Sequence, residues 1–142
     1  MKKYKIGYTT GVFDLFHIGH LNILKKAKDL CDYLIVGVTI DELVAYKGKK
    51  AFIPFEERME IINSIKYVDK AVPQSSMNKM EAWNKYNFNV VFVGSDWKGT
   101  PTWINIENEF KKIGVDTIYF DYTKTTSSTQ LRELITKELE KK

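Results

Sequence analysis

The chain has 142 residues, 44% hydrophobic and 28% charged, a length and balance that bury one core without staples and predict a single domain over residues 1–142. One cysteine excludes an internal disulfide framework, no apolar run approaches the roughly 18 residues a membrane helix needs, and MKKYKIGYTT opens on a strand pattern rather than a signal peptide; a cytoplasmic protein with no membrane partner is expected. The net charge of +4 admits nucleic acid or small anions, but the lysines are scattered instead of lying on one stripe with stacking aromatics, which favours small polyanions over nucleic acid.

Tyr4 to Thr10 mixes β-branched and aromatic residues and predicts a strand, after which Ile18, Leu21, Ile23, Leu24, Ala27 and Leu30 repeat at helical spacing. Asp32 to Thr39 is a near-continuous apolar run, as in a parallel strand covered on both faces. DELVAYKGKKAFIP reads as a loop with some helix at its start, and Pro54 to Ile65 as a helix with proline and acids in its first turn. YVDKAV (Tyr67 to Val72) predicts a short strand, NKMEAWNKYN a helix, and Val90 to Gly94 a strand. WINIENEFKKIG is a helix closed by Gly114, VDTIYF a strand, and Ser127 to Leu139 a closing amphipathic helix. Strand and helix alternate about five times, which predicts an α/β Rossmann-like fold: a parallel sheet of about five strands with helices on both faces, the first strand central, and ligands at the carboxyl edge.

The decapeptide GVFDLFHIGH, Gly11 to His20, joins the first strand to the first helix and carries both histidines of the chain. His17 and His20 lie about 60° apart round a helix, so both rings can face one ligand at a helix N-terminus, where backbone N–H groups and the macrodipole favour an anion. Gly11 is expected to permit the turn and Gly19 to leave room between the rings. Taken alone, H-x-x-H also describes two surface or capping histidines; zinc is disfavoured because Cys31 lies at the far end of the helix. Four later features should reach the same edge, one of them Arg58 on the helix after Pro54, which by itself can be only a solvated surface arginine. The Lys47 to Lys50 group can attend phosphates, or can be a solvated charge run. In GSDWKG, Asp96 can accept a hydrogen bond from a base or ribose beside Trp97, or the segment is a polar turn over a buried tryptophan. In YTKTTSST, Ser127, Ser128 and Thr129 can cradle a phosphate at a helix start, or simply cap the helix.

GVFDLFHIGH resembles the G-x-F-D-x-x-H-x-G-H signature of the cytidylyltransferase family, within the HxGH nucleotidyltransferase superfamily. The resemblance spans nearly the whole chain and implies that Gly11, Val12, Phe13, Asp14 and Gly19 bind nucleotide around the catalytic His17 and His20. It implies an acceptor-binding, catalytic lysine at Lys47, a nucleotide lysine at Lys49 and, through Glu56-Glu57-Arg58, a catalytic arginine at Arg58 supporting the phosphate site. GSDW is similar to the family's G-D-D-W, with Ser95 for the first acid and Asp96 as the aligned one. YTKTTSST is similar to R-T-E-G-I-S-T-T and implies nucleotide contacts from Tyr122, Thr123, Lys124, Ser127, Ser128 and Thr129, with Tyr122 in place of the arginine and Lys124 in place of the acid.

The activity so implied is transfer of CMP from CTP to a phosphorylated alcohol, glycerol 3-phosphate foremost, by a homodimer serving cell-wall or capsule precursor synthesis. Attack would be in line at the α-phosphorus without a covalent enzyme intermediate. Mg2+ would arrive with the nucleotide, and Asp14 would orient the turn. An adenylyltransferase of the same superfamily, a different acceptor, and a nucleotide-binding module without turnover are the alternatives.

Overall fold

A computed structural model of the chain describes residues 2–46, 50–121 and 128–140, without the side chains of Tyr46, Ser128 and Thr129. Five parallel strands, β1 (Tyr4–Gly11), β2 (Cys31–Thr39), β3 (Lys70–Gln74), β4 (Val90–Gly94) and β5 (Asp116–Phe120), form one sheet in the order β3-β2-β1-β4-β5. The helices are α1 (Ile18–Leu30), α2 (Asp41–Tyr46), α3 (Phe55–Asn63), α4 (Lys79–Tyr86), α5 (Pro101–Lys112) and α6 (Ser128–Glu140).

Alternating residues of the strands feed two cores. Leu34, Val36, Val38, Val90 and Phe92 meet Leu24 and Ala27 of α1 and Ile62 of α3 on one face. On the other face Ile35, Val72 and Val91 meet Trp103 and Phe110 of α5, with Met80 and Trp83 of α4 packed around them. Both faces of the central strands are therefore covered, which is why β2 and β4 carry almost unbroken apolar runs. Strand order reverses beside β1: the chain runs outward through β2 and β3, then returns to place β4 on the other flank. That opens a crevice off the carboxyl end of β1.

One strand differs from its sequence-based prediction. β3 occupies Lys70–Gln74, not Tyr67–Val72, because Tyr67 and Val68 pack onto the core from a turn in which Val68 N–H donates to Ile65 O (3.0 Å). Pro73, opposite Val38, is tolerated because β3 is an edge strand that needs no donor on its outer side. The helix ends are chemically marked. Asn78 caps α4, Thr100 caps α5 ahead of Pro101, and Gly114 beyond α5 takes φ +78°, a conformation costly for any residue with a Cβ. Among the described residues no helix is long and apolar enough to cross a membrane.

Candidate active site

The turn from β1 to α1 occupies the crevice. Phe13 (φ +54°) and Leu15 (φ +51°) both adopt the left-handed region, which is unfavourable for side chains of this size, so the surrounding structure must hold them there. It does so through Asp14, only 2% exposed, whose oxygens accept from Phe52 N–H (2.8 Å) and Ile53 N–H (2.9 Å) and pair with the Arg132 guanidinium. Gly11 has a different role from the expected one. It is the last residue of β1 and not a left-handed turn residue, and a Cβ there would stand 3.0 Å from the Phe13 ring, so that the ring would have to shift by a few tenths of an ångström.

The two histidines form a reciprocal cap on α1. His17 is the N-cap, its Nδ1 accepts from Gly19 N–H (3.0 Å), and His20 Nδ1 accepts from His17 N–H (3.3 Å). Each Nδ1 is thus an acceptor, which puts the proton of each neutral ring on Nε2. The rings stack with centroids 4.0 Å apart, and Phe13 and Phe16 pack on His20. Burial lowers the pKa of His17 below the usual 6.5. Burial, with neighbouring His17 adding to it and Asp14 opposing, takes His20 down to about 4. At neutral pH the site therefore presents two neutral Nε2–H donors at a helix N-terminus. Capping and ligand-facing roles, alternatives in the sequence, are compatible because each uses a different nitrogen.

Arg58 is buried, 1% exposed. Its Nε donates to Ile53 O (2.9 Å), Nη1 to Val12 O (2.8 Å) and Thr39 O (2.7 Å), and Nη2 to Asp41 (2.5 Å). Burial works to raise the Asp41 pKa, but the Phe55 N–H and the guanidinium outweigh it and hold the carboxyl below its ordinary value. A side chain enclosed in this way touches no substrate. The expectation of a catalytic arginine is corrected: Arg58 is a positioning residue that clamps the turn, through Val12, to the ends of β2 and α3.

Asp96 lies in a short 3-10 turn, Ser95–Trp97, that leaves β4 on the other flank of the crevice. Trp97 is 48% exposed, which removes the alternative of a buried tryptophan. Ser128 and Thr129 open α6. Lys47, Lys49, Tyr122, Thr123, Lys124 and Ser127 lie outside the described residues, so the structure neither joins them to the turn nor separates them from it.

Three residues at this edge escaped sequence analysis. Arg132, which also donates to Lys50 O (3.0 Å), ties α6 to the turn. Lys79 is 7% exposed and its Nζ donates to Thr10 Oγ1 (2.9 Å) at the end of β1. A lysine at the first position of a helix opposes the macrodipole, and that was its only local signal. Gln74, 5% exposed at the end of β3, had none, because the predicted strand stopped short of it.

The cytidylyltransferase-like family model matches residues 8–134, from β1 into α6. The chain belongs to this family. Among curated cytidylyltransferases, it is 35% identical over 89% of its length to the glycerol-3-phosphate cytidylyltransferase of Bacillus subtilis, covering 94% of that protein. It is 33% identical over 88% of its length to the enzyme of that name from Staphylococcus aureus, covering 90% of it. Of solved structures, the lipopolysaccharide core biosynthesis protein of Thermoplasma volcanium superposes with a TM-score of 0.72 at 26% identity, over 87% of this chain and 99% of that one. Pantoate-beta-alanine ligase of Francisella tularensis shares the fold alone, with a TM-score of 0.61 at 15% identity over 88% of this chain and 62% of the ligase. The family match covers every element that builds the histidine turn of this cytidylyltransferase-like chain.

Proposed function

We propose that this protein transfers CMP from CTP to glycerol 3-phosphate, forming CDP-glycerol and releasing pyrophosphate. The observation that carries the chemistry is the His17–His20 cap, which uses both Nδ1 atoms as acceptors and so places the proton of each neutral ring on Nε2, at a helix N-terminus that follows the central strand. The choice of CTP and glycerol 3-phosphate is supported by the relatives of that name.

An oxygen of the acceptor phosphate attacks the α-phosphorus as the bond to the bridging α–β oxygen breaks, and the electron pair leaves with pyrophosphate. The attacking phosphate is ionised at pH 7, so no strong base is needed. His17 and His20 donate to the α- and β-phosphate oxygens, where charge builds up in the transition state, and α1 adds its N-terminal dipole. Lys47 serves the acceptor, Lys49 and Lys124 the triphosphate, with Asp96 and the 122–129 segment on the nucleotide. Lys79 adds a positive charge at the β1 end.

Mg2+, carried by the triphosphate, would supply neutralisation of its charge. Among the described residues no three His, Cys, Asp or Glu side chains converge on a metal, and both Asp14 oxygens are taken by hydrogen bonds, which suits a metal held mainly by the nucleotide. We place the reaction in the cytoplasm and assign it to a homodimer, to be tested by sedimentation.

Pyrophosphate release with Mg2+ tests the proposal, crossing CTP and ATP against glycerol 3-phosphate, ribitol 5-phosphate and phosphoethanolamine. Turnover is expected with CTP and glycerol 3-phosphate. Turnover with ATP alone would overturn the base assignment, with another acceptor alone the substrate, and with none the enzyme.

A further inference from the structure

Beside the histidine turn, the carboxyl edge holds a second polar array that the mechanism above leaves unused. Thr39 and Gln74 are paired residues at the ends of β2 and β3. Both are buried, 1% and 5% exposed, and Thr39 Oγ1 donates to Gln74 Oε1 (2.7 Å). The Gln74 carbonyl also accepts from Ile40 N–H (3.1 Å), so the residue is fixed through its backbone and its side-chain oxygen. The amide nitrogen is served much less well. Nε2 reaches only the Met77 thioether, at 3.8 Å, and Met77 is 45% exposed. A thioether is a weak acceptor, and a buried amide donor left so poorly matched costs free energy unless a better oxygen can displace the sulfur.

Position makes that oxygen part of the acceptor. Lys79, five residues on, folds back so that Nζ sits on Thr10 at the end of β1, while Gln74 ends β3 two strands away. Two strand spacings are about 10 Å, which a small polyol phosphate of about 7 Å spans with one hydrogen bond of about 2.9 Å at its end. Arg58 joins this array to the nucleotide turn, since one nitrogen, Nη1, holds both Val12 O and Thr39 O. The Gln74 amide is thereby set relative to the turn that carries His17 and His20.

We propose that Gln74, fixed by Thr39, is a specificity-determining residue that reads a hydroxyl oxygen of the acceptor alcohol through its Nε2–H, with Met77 giving way. The inference rests on the proposed transfer to a phosphorylated alcohol and adds what that reading leaves open: the end of the acceptor away from its phosphate carries a hydroxyl acceptor group. An ammonium there, as in phosphoethanolamine, would set donor against donor.

The test is steady-state pyrophosphate release with CTP and Mg2+, using glycerol 3-phosphate and its two deoxy analogues, propane-1,3-diol monophosphate and propane-1,2-diol 1-phosphate. Wild type should lose about 10- to 100-fold in kcat/KM with at least one analogue, because the missing hydroxyl leaves a buried donor unpaired. In Gln74→Leu, glycerol 3-phosphate should fall to the level of that analogue, with the KM for CTP and the thermal shift on adding CTP within about twofold of wild type. Gln74→Glu should narrow the preference for glycerol 3-phosphate over phosphoethanolamine.

Equal use of all three alcohols by wild type overturns the proposal without any variant having to fold. So does a Gln74→Leu enzyme that binds CTP normally and keeps the full discrimination. Absence of wild-type turnover with CTP and any phosphorylated alcohol instead removes the reading of function on which the proposal stands.

Discussion

His17 has two separable jobs, and substitution can divide them. Asparagine is among the best N-cap residues, so His17→Asn keeps a side-chain acceptor for Gly19 N–H while removing the Nε2–H donor. Its thermal stability should stay within about 1 kcal/mol of wild type, whereas kcat falls on the order of 10²-fold or more, the usual cost of losing one donor to a developing oxyanion. A His17→Asn enzyme with near-normal kcat would refute the histidine mechanism. Nitrogen-15 chemical shifts at pH 7 should show both rings neutral and protonated on Nε2, as the reciprocal cap demands.

The depressed His20 pKa also fixes a direction for stability. Above pH 6.5 the ring is neutral in both folded and unfolded chains. As pH falls from 6.5 toward 4 the unfolded chain takes up a proton that the native chain refuses, so stability drops and then levels off below about 4. His17 acts in the same direction, while Asp41 contributes its loss only below its ordinary 3.8. The urea midpoint at pH 5 should report a loss of about 2 kcal/mol relative to pH 7, given about 1.4 kcal/mol for each pH unit. An unchanged midpoint would contradict the half-buried neutral pair.

At the scale of elements, Arg58 and Arg132 hold the turn from two sides. Arg58 binds carbonyls at the ends of β1, β2 and the loop before α3, so Arg58→Met leaves those carbonyls without this donor and Asp41 with only the Phe55 N–H. Removing one member of such an arrangement costs about 3–5 kcal/mol. Asp41 is 47% exposed and can be rehydrated, which argues for the lower end of that range. The melting temperature should drop by roughly 10 °C, and Arg58→Lys should restore little, because an ammonium lacks the planar fork.

Arg132 works differently. It fastens α6 to buried Asp14 and to Lys50 O from a partly exposed position, with Phe52 under the guanidinium. In Arg132→Ala, hydrogen exchange should accelerate across residues 128–140 and 50–53, while β1, β2 and β4 keep their protection. Uniform acceleration would mean that α6 is held by something other than this contact.

Across the whole molecule, the site is assembled from distant parts of the chain: the β1–α1 turn, the 50–53 segment, the start of α4, the 3-10 turn after β4, and α6. A ligand bridging these parts should stabilise the fold as a unit. CTP at 100 times its dissociation constant should add about 2.7 kcal/mol, a rise of roughly 5–11 °C in melting temperature, and ATP at the same concentration should add less.

What the sequence by itself determined was local. Period-two and helical patterns placed the strands and helices, with β4 at its observed residues and β3 shifted, because Tyr67 and Val68 carry strand-like side chains that a turn can also bury. The histidine motif marked the β1–α1 turn, and its spacing already implied two rings at a helix start. Tertiary structure alone decided which nitrogen of each ring caps the helix, that Arg58 points inward, and that Arg132, Lys79 and Gln74 lie at the same edge of the sheet. Arg58 meets Val12 across 46 positions and Arg132 meets Asp14 across 118. No local periodicity records such contacts: they exist only because the parallel sheet brings the carboxyl ends of its strands, and the loops that follow them, to one edge.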